Sequence, residues 1–140
     1  MLHFLKYWLP PIAYAGLIFF LSSRPLPEIP VRIPYIDKAA HLIEYAILAM
    51  LLYRACMHSN LLRSRSGVPI TSGRNRAVAI SILVAILYGL SDEVHQFYVP
   101  GRLASGWDFM FDALGAVAGV VIIRKLISNT SSKRRETGVL

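Results

Sequence analysis

Residues 77–97 read AVAISILVAILYGLSDEVHQF. From Ala77 to Leu90 the run keeps almost no polar face. A helix that is apolar all round belongs in a protein core or in a membrane. The run then ends abruptly in Ser91, Asp92, Glu93, His95 and Gln96. Ionisable groups are expensive in a bilayer and need partners or a water-filled cavity there. The stretch therefore reads as a membrane helix that carries a polar site at one end.

Three other segments share this character. They run over about 4–23, 39–57 and 107–127, beside the third at 77–97. Spanning a bilayer takes roughly 20 mostly apolar residues. Segments two to four reach that length only with their acidic ends included. A soluble helical bundle with buried polar residues is the competing reading. Yet 140 residues cannot bury several wholly apolar helices in water. The chain is 55% hydrophobic and 16% charged, where a soluble domain carries about 25% charged residues. The expected fold is all-α: one domain over 1–127, four transmembrane helices in a compact bundle, then a disordered tail over 128–140.

The basic residues set an orientation. Arg54, Arg63, Arg65, Arg74 and Arg76 flank or fill the second connection. Arg124, Lys125, Lys133, Arg134 and Arg135 follow the fourth segment. With Lys6 they make 11 of the 15 basic residues. Short cytoplasmic loops collect Lys and Arg, so both termini are expected on the cytoplasmic side. The net charge of +7 is then mostly this bias, and no nucleic-acid partner is needed to explain it. Lys6 before an apolar run also fits a signal peptide, but no convincing small-x-small site follows, so the segment reads as retained. Pro10-Pro11 mark its first turn or a kink. Four prolines over 24–36 predict an extended outer connection, and 58–76 reads as an Arg/Ser/Gly-rich loop. The lone Cys56 excludes an intrachain disulfide and reads as packing.

This topology gathers the chemistry on the outer side. Asp37, His41, Glu44 and Tyr45 enter the second helix there, at spacings that share a face. Tyr88, Ser91, Asp92, His95 and Gln96 end the third helix on one face. Asp108, Asp112, Gly115 and Gly119 line the fourth. A Gly-x-x-x-Gly pair lets a neighbouring helix approach closely, which would draw Asp112 toward the other clusters.

These residues together resemble a known family. Asp37-Lys38-x-x-His41-x-x-x-Tyr45, Ser91-Asp92-Glu93-x-x-Gln96-x-x-x-Pro100-Gly101-Arg102, and Asp108 with Gly115 and Gly119 look like the VanZ-like membrane proteins. Phe20-Leu21-Ser22-Ser23 resembles the end of that family's first helix. Many members carry Asn where this chain has Asp112. The resemblance implies a link to reduced susceptibility to the glycopeptide teicoplanin. It also implies kinship with membrane enzymes that process lipid headgroups.

Each residue has a plainer reading. His41 and His95 are equally suited to hydrogen-bonding carboxylates between helices. Lys38, Asp37 and Glu93 suit interfacial charges that reach water. Arg102 either neutralises Asp92 or Asp108, or grips a phosphate in a bidentate fashion. Asp92 at a helix C-terminus opposes the dipole, which favours function over structure. Six acids against Lys38 and Arg102 leave an excess of four formal negative charges. Protonated carboxyls, cationic histidines or a bound divalent cation would each offset it.

The leading expectation is an enzyme acting on lipid-linked phosphoesters at the extracytoplasmic face. His41 is its nucleophile or general base, oriented by Glu44 or Asp92, and His95 is a second acid–base group. Lys38 and Arg102 stabilise phosphoryl charge, and Tyr45 and Gln96 contact substrate. Asp37, Glu93, Asp108 and Asp112 orient these groups or hold a cation. The alternatives are a binding protein that shields a cell-wall lipid headgroup and a small proton- or cation-coupled carrier. The carrier would require an oligomer. The expected partner in each lipid-directed case is a membrane lipid or a lipid-linked cell-wall intermediate.

Overall fold

The computed structural model describes residues 2–25, 36–58 and 70–136. Among these residues it is all-helical, with α1 Leu2–Ser22, α2 Ile36–His58, α3 Ile70–Phe97 and α4 Gly106–Glu136. Helix α2 lies at the centre and packs against the other three, most extensively against α4. Helix α1 packs on α2 and α3.

The α2–α4 contact is close because α4 presents glycine there. A Cβ on Gly115 would collide with the Leu42 carbonyl, and one on Gly119 with the Ala46 carbonyl. The two backbones therefore touch over one helical turn, as small-x-x-x-small spacing allows. Around this crossing Ile18, Tyr45, Leu48, Ala49, Leu52, Tyr53, Ala85, Ala116 and Val120 form the core. Small and large side chains alternate, so the helices sit close without strain.

Outside this core the surface is apolar. Leu83, Leu87, Leu90 and Val94 make one exposed stripe on α3, and Leu114, Val117 and Val121 another on α4. Leu9, Ile12, Leu17 and Phe20 are exposed on α1. Apolar area this continuous needs a nonaqueous neighbour. Among the described residues three helices are long and apolar enough to cross a membrane: Phe4–Ser22, Ile36–His58 and Gly73–Phe97. The chain is thus a multi-pass membrane protein. Helix α4, expected as a fourth span, is not among the three; its length includes Asp108, Asp112 and a long polar end.

Three boundaries differ from the sequence expectation. Helix α4 continues to Glu136, where composition predicts a disordered tail from 128. No Gly or Pro interrupts residues 120–136, and the polar groups satisfy themselves along the helix. Ser128 donates to the Lys125 carbonyl, Thr130 to Leu126 and Ser131 to Ile127. Helix α3 starts at Ile70, so its first two turns are polar where composition predicts a loop. Pro10 and Pro11 lie inside α1, more than two turns after its start, so they do not mark its first turn. They remove the N–H partners of the Lys6 and Tyr7 carbonyls. The proline-rich connection at 26–35 and the loop at 59–69 lie outside the described residues.

Candidate functional site

The polar residues assemble into two sets at the same end of the bundle. The first set joins α2, α3 and α4. Asp112 is fully buried, and its Oδ1 lies 2.9 Å from Nδ1 of His41. An ionised Asp112 only accepts, so Nδ1 carries the hydrogen; in the neutral imidazole Nε2 then keeps its lone pair. The glycine contacts explain the meeting. His41 precedes Leu42 and Asp112 lies one turn before Gly115, so the backbone contact brings the two side chains together. Gly89 of α3 faces the same point. A Cβ there would lie 3.1 Å from the Asp112 Cβ and Oδ2, and 3.2 Å from the Tyr45 ring.

Lys38 bridges two helices. Its ammonium donates to Asp37 at 2.8 Å and to Asp108 of α4. Asp37 is largely exposed and Asp108 is buried. Glu93 ties the end of α3 to the start of α4 by accepting the Ser105 N–H at Oε2, 2.8 Å away. Ser105 in turn caps α4, its carbonyl accepting from Asp108 and Phe109. The N-terminal end of a helix favours nearby anions, which suits both Glu93 and Asp108. Ring or carboxylate atoms of His41, Glu93 and Asp108 lie within 4.8 Å of one another. Among the described residues these three are placed to hold a cation.

The second set joins α1 and α3. Asp92 is buried and its Oδ2 accepts from Ser22 at 2.9 Å and from Gln96 at 2.8 Å. Ser23 gives its single hydroxyl hydrogen to the Phe19 carbonyl. Its oxygen must therefore accept from Nε2–H of His95, 3.0 Å away. The His95 ring also stacks on Phe19, with centroids 4.5 Å apart.

Arg102 completes this side. Val99 and Arg102 close a turn, carbonyl to N–H at 3.1 Å, with Pro100 and Gly101 between them. Gly101 has φ of 82°, the value a type II turn requires at that position. The turn aims Arg102 at the end of α1, where it donates to the Arg24 and Leu21 carbonyls at 2.8 and 2.7 Å. Arg24 lies past the end of α1, and the Leu21 carbonyl keeps only a turn bond from the Arg24 N–H; the guanidinium adds a donor to each carbonyl.

A comparison with family profiles matches residues 4–128 to the family described as VanZ/LLP1. The chain belongs to the VanZ/LLP1 family. No curated protein and no solved structure matches it. The VanZ/LLP1 match spans α1 to α4 and includes every residue of both sets.

Several expected roles change with the geometry. His41 is held by Asp112, not by Glu44 or Asp92. Glu44 is half-buried one turn further along α2. Asp92 and Gln96 serve each other and Ser22. Arg102 neutralises neither Asp92 nor Asp108; it caps α1. Tyr45 is wholly buried between Tyr88 and Asp112, and its hydroxyl has no partner among the described residues. Ser22, Ser23 and Ser105 are the working residues that chemistry-bearing side chains did not point to. The first two stand in the Phe20-Leu21-Ser22-Ser23 stretch of the resemblance, which was their available signal.

Proposed function

We propose that this VanZ/LLP1 protein acts on lipid-linked phosphoester headgroups at the extracytoplasmic face of a bacterial cytoplasmic membrane. The observation that carries this reading is the His41–Asp112 pair. A fully buried carboxylate fixes the imidazole in one tautomer and leaves Nε2 free to take a proton or attack phosphorus. Imidazole titrates near neutral pH, as such a role needs.

In this reading α4 is a fourth span. Its exposed Leu114, Val117 and Val121 support that placement. Both termini then face the cytoplasm, as the distribution of Lys and Arg favours. The His41 set lies at the outer membrane interface, where a headgroup reaches it from the lipid. Altered susceptibility to glycopeptides such as teicoplanin would follow from changed cell-wall lipid headgroups.

The test is direct. Purified protein is incubated with a phospholipid or polyprenyl-linked phosphate labelled in the headgroup. Release by wild type and not by His41→Gln supports catalysis. Headgroup binding without release by either protein moves the reading to a shielding protein.

A further inference from the structure

Buried charge in the His41 set does not balance. Glu93, Asp108 and Asp112 are each at least nine-tenths buried. Lys38 is the cation paired with this group, and it is shared with Asp37. With His41 neutral, the three buried carboxylates and Lys38 leave two formal negative charges. That is the charge one divalent cation brings. Unpaired buried charges are costly, so the group takes up either protons or a cation.

One orphaned atom points to where it sits. Oε1 of Glu93 is buried and has no hydrogen-bond partner among the described residues. The other Glu93 oxygen is fixed by the Ser105 N–H, which holds the carboxylate in place. One atom each from His41, Glu93 and Asp108 lies within 4.8 Å of the others. Ligands about 2.1 Å from an ion stand at most about 4.2 Å apart, so small side-chain shifts close the shell.

We propose that His41, Glu93 and Asp108 bind one divalent transition-metal ion at the junction of α2, α3 and α4, with Asp112 orienting the His41 ring. The tautomer supports this. Nδ1 donates to Asp112, so Nε2 is the ligating atom, and a carboxylate on the far nitrogen is the usual companion of a metal-bound histidine. One imidazole with two carboxylates favours Mn2+ or Zn2+ over Mg2+ or Ca2+. Lys38 competes for Asp108 but can remain on Asp37, which already accepts from it at 2.8 Å.

The inference shares its site with the proposed function and changes one role there. An Nε2 that holds an ion is not available as a base, so His41 becomes a ligand in the loaded protein. The ion then presents positive charge to a phosphoester that the carboxylates alone would repel. Arg102 and Lys38, both engaged by protein groups, do not supply that charge freely.

The experiment needs no substrate. Full-length protein in detergent is stripped with chelator, desalted and titrated with MnCl2, and free Mn2+ is read by electron paramagnetic resonance. One bound Mn2+ per chain is expected, displaced by Zn2+ and not by the same concentration of Ca2+. Glu93→Gln and His41→Gln should each weaken binding at least about tenfold. Lys38→Met removes the competing ammonium and should tighten binding severalfold. Gel filtration and circular dichroism establish that each variant is folded. No binding by wild type, unchanged binding by a folded Glu93→Gln, or weaker binding by Lys38→Met overturns the site. Should Glu93→Gln not fold, the wild-type titration and Lys38→Met decide alone. Headgroup release is measured separately. Metal binding without release leaves the site standing and removes the headgroup reading. Release by wild type together with no Mn2+ binding does the reverse.

Discussion

Nδ1 of His41 and Oδ1 of Asp112 meet at 2.9 Å beside the place where Gly115 rests on the Leu42 carbonyl. Packing and chemistry are thus one feature: the glycine contact sets the helix separation, and the separation sets the hydrogen bond. Asp112→Asn keeps an acceptor for Nδ1–H, whereas Asp112→Leu removes it. The Asn variant should retain part of wild-type headgroup release, and the Leu variant should lose about 10–100-fold, the usual cost of freeing an oriented histidine. Equal activity of the two would show that orientation by Asp112 is irrelevant.

The glycines carry their own prediction. Gly115→Ala and Gly119→Ala push a methyl group into backbone, which cannot move aside as a flexible side chain does. Each should destabilise the protein by about 1–3 kcal/mol, the range for overpacking. Gly16 of α1 faces open space, so Gly16→Ala is the matched neutral control. Thermal unfolding in one detergent compares all three.

Arg102 separates a cap from a ligand-binding residue. Arg102→Ala would remove the guanidinium bonds to the Leu21 and Arg24 carbonyls and leave Leu21 with only its turn bond from the Arg24 N–H. Loss of those bonds should cost about 1–2 kcal/mol of stability. Arg102→Lys should recover part of it. Loss of headgroup binding with unchanged thermal stability would instead return Arg102 to the phosphate-gripping role.

The helices were readable in the sequence because a bilayer demands long apolar runs, and water-soluble chains rarely carry runs of that length. The grouping of polar residues at one end was readable from helical spacing. Partner choice within the group was not. Spacing places His41, Glu44 and Tyr45 on one α2 face, but whether His41 meets Asp92 or Asp112 depends on how α4 crosses α2. Gly115 and Gly119 hinted at that crossing without naming the residue opposite. Arg102 was misleading for a related reason. A charged side chain among carboxylates suggests an ion pair, yet backbone carbonyls at the end of α1 lay nearer. Composition also failed at 128–136, since a polar helix and a disordered tail use the same residues.

Orientation is checked by cysteine labelling in a Cys56→Ala background. Ser64→Cys should react only with reagent in the cytoplasm, and Pro27→Cys only with reagent outside. The lopsided distribution of Lys and Arg motivates both expectations. The reverse pattern would move the His41 set to the cytoplasmic face and remove lipids of the outer leaflet as its substrates.

The two histidines should behave differently although sequence treats them alike. His95 gives its Nε2–H to Ser23 and stacks on Phe19, so its ring is used as a donor and as a flat surface. His95→Gln retains an amide donor, and His95→Phe retains the stacking. A hydrogen bond between membrane helices is worth only about 1 kcal/mol, so both variants should stay folded and keep most of their activity. His41 is the opposite case. Its Nδ1–H is committed to Asp112, and each role proposed for it, toward a proton, phosphorus or a metal ion, uses the lone pair on Nε2. Gln can mimic a hydrogen bond but supplies no comparable basic nitrogen. His41→Gln should therefore reduce headgroup release by about 10²–10⁴-fold, the span of general acid–base contributions, while gel filtration shows an intact protein. A His95→Gln protein that is folded and as inactive as His41→Gln would place the chemistry on α1 and α3 instead.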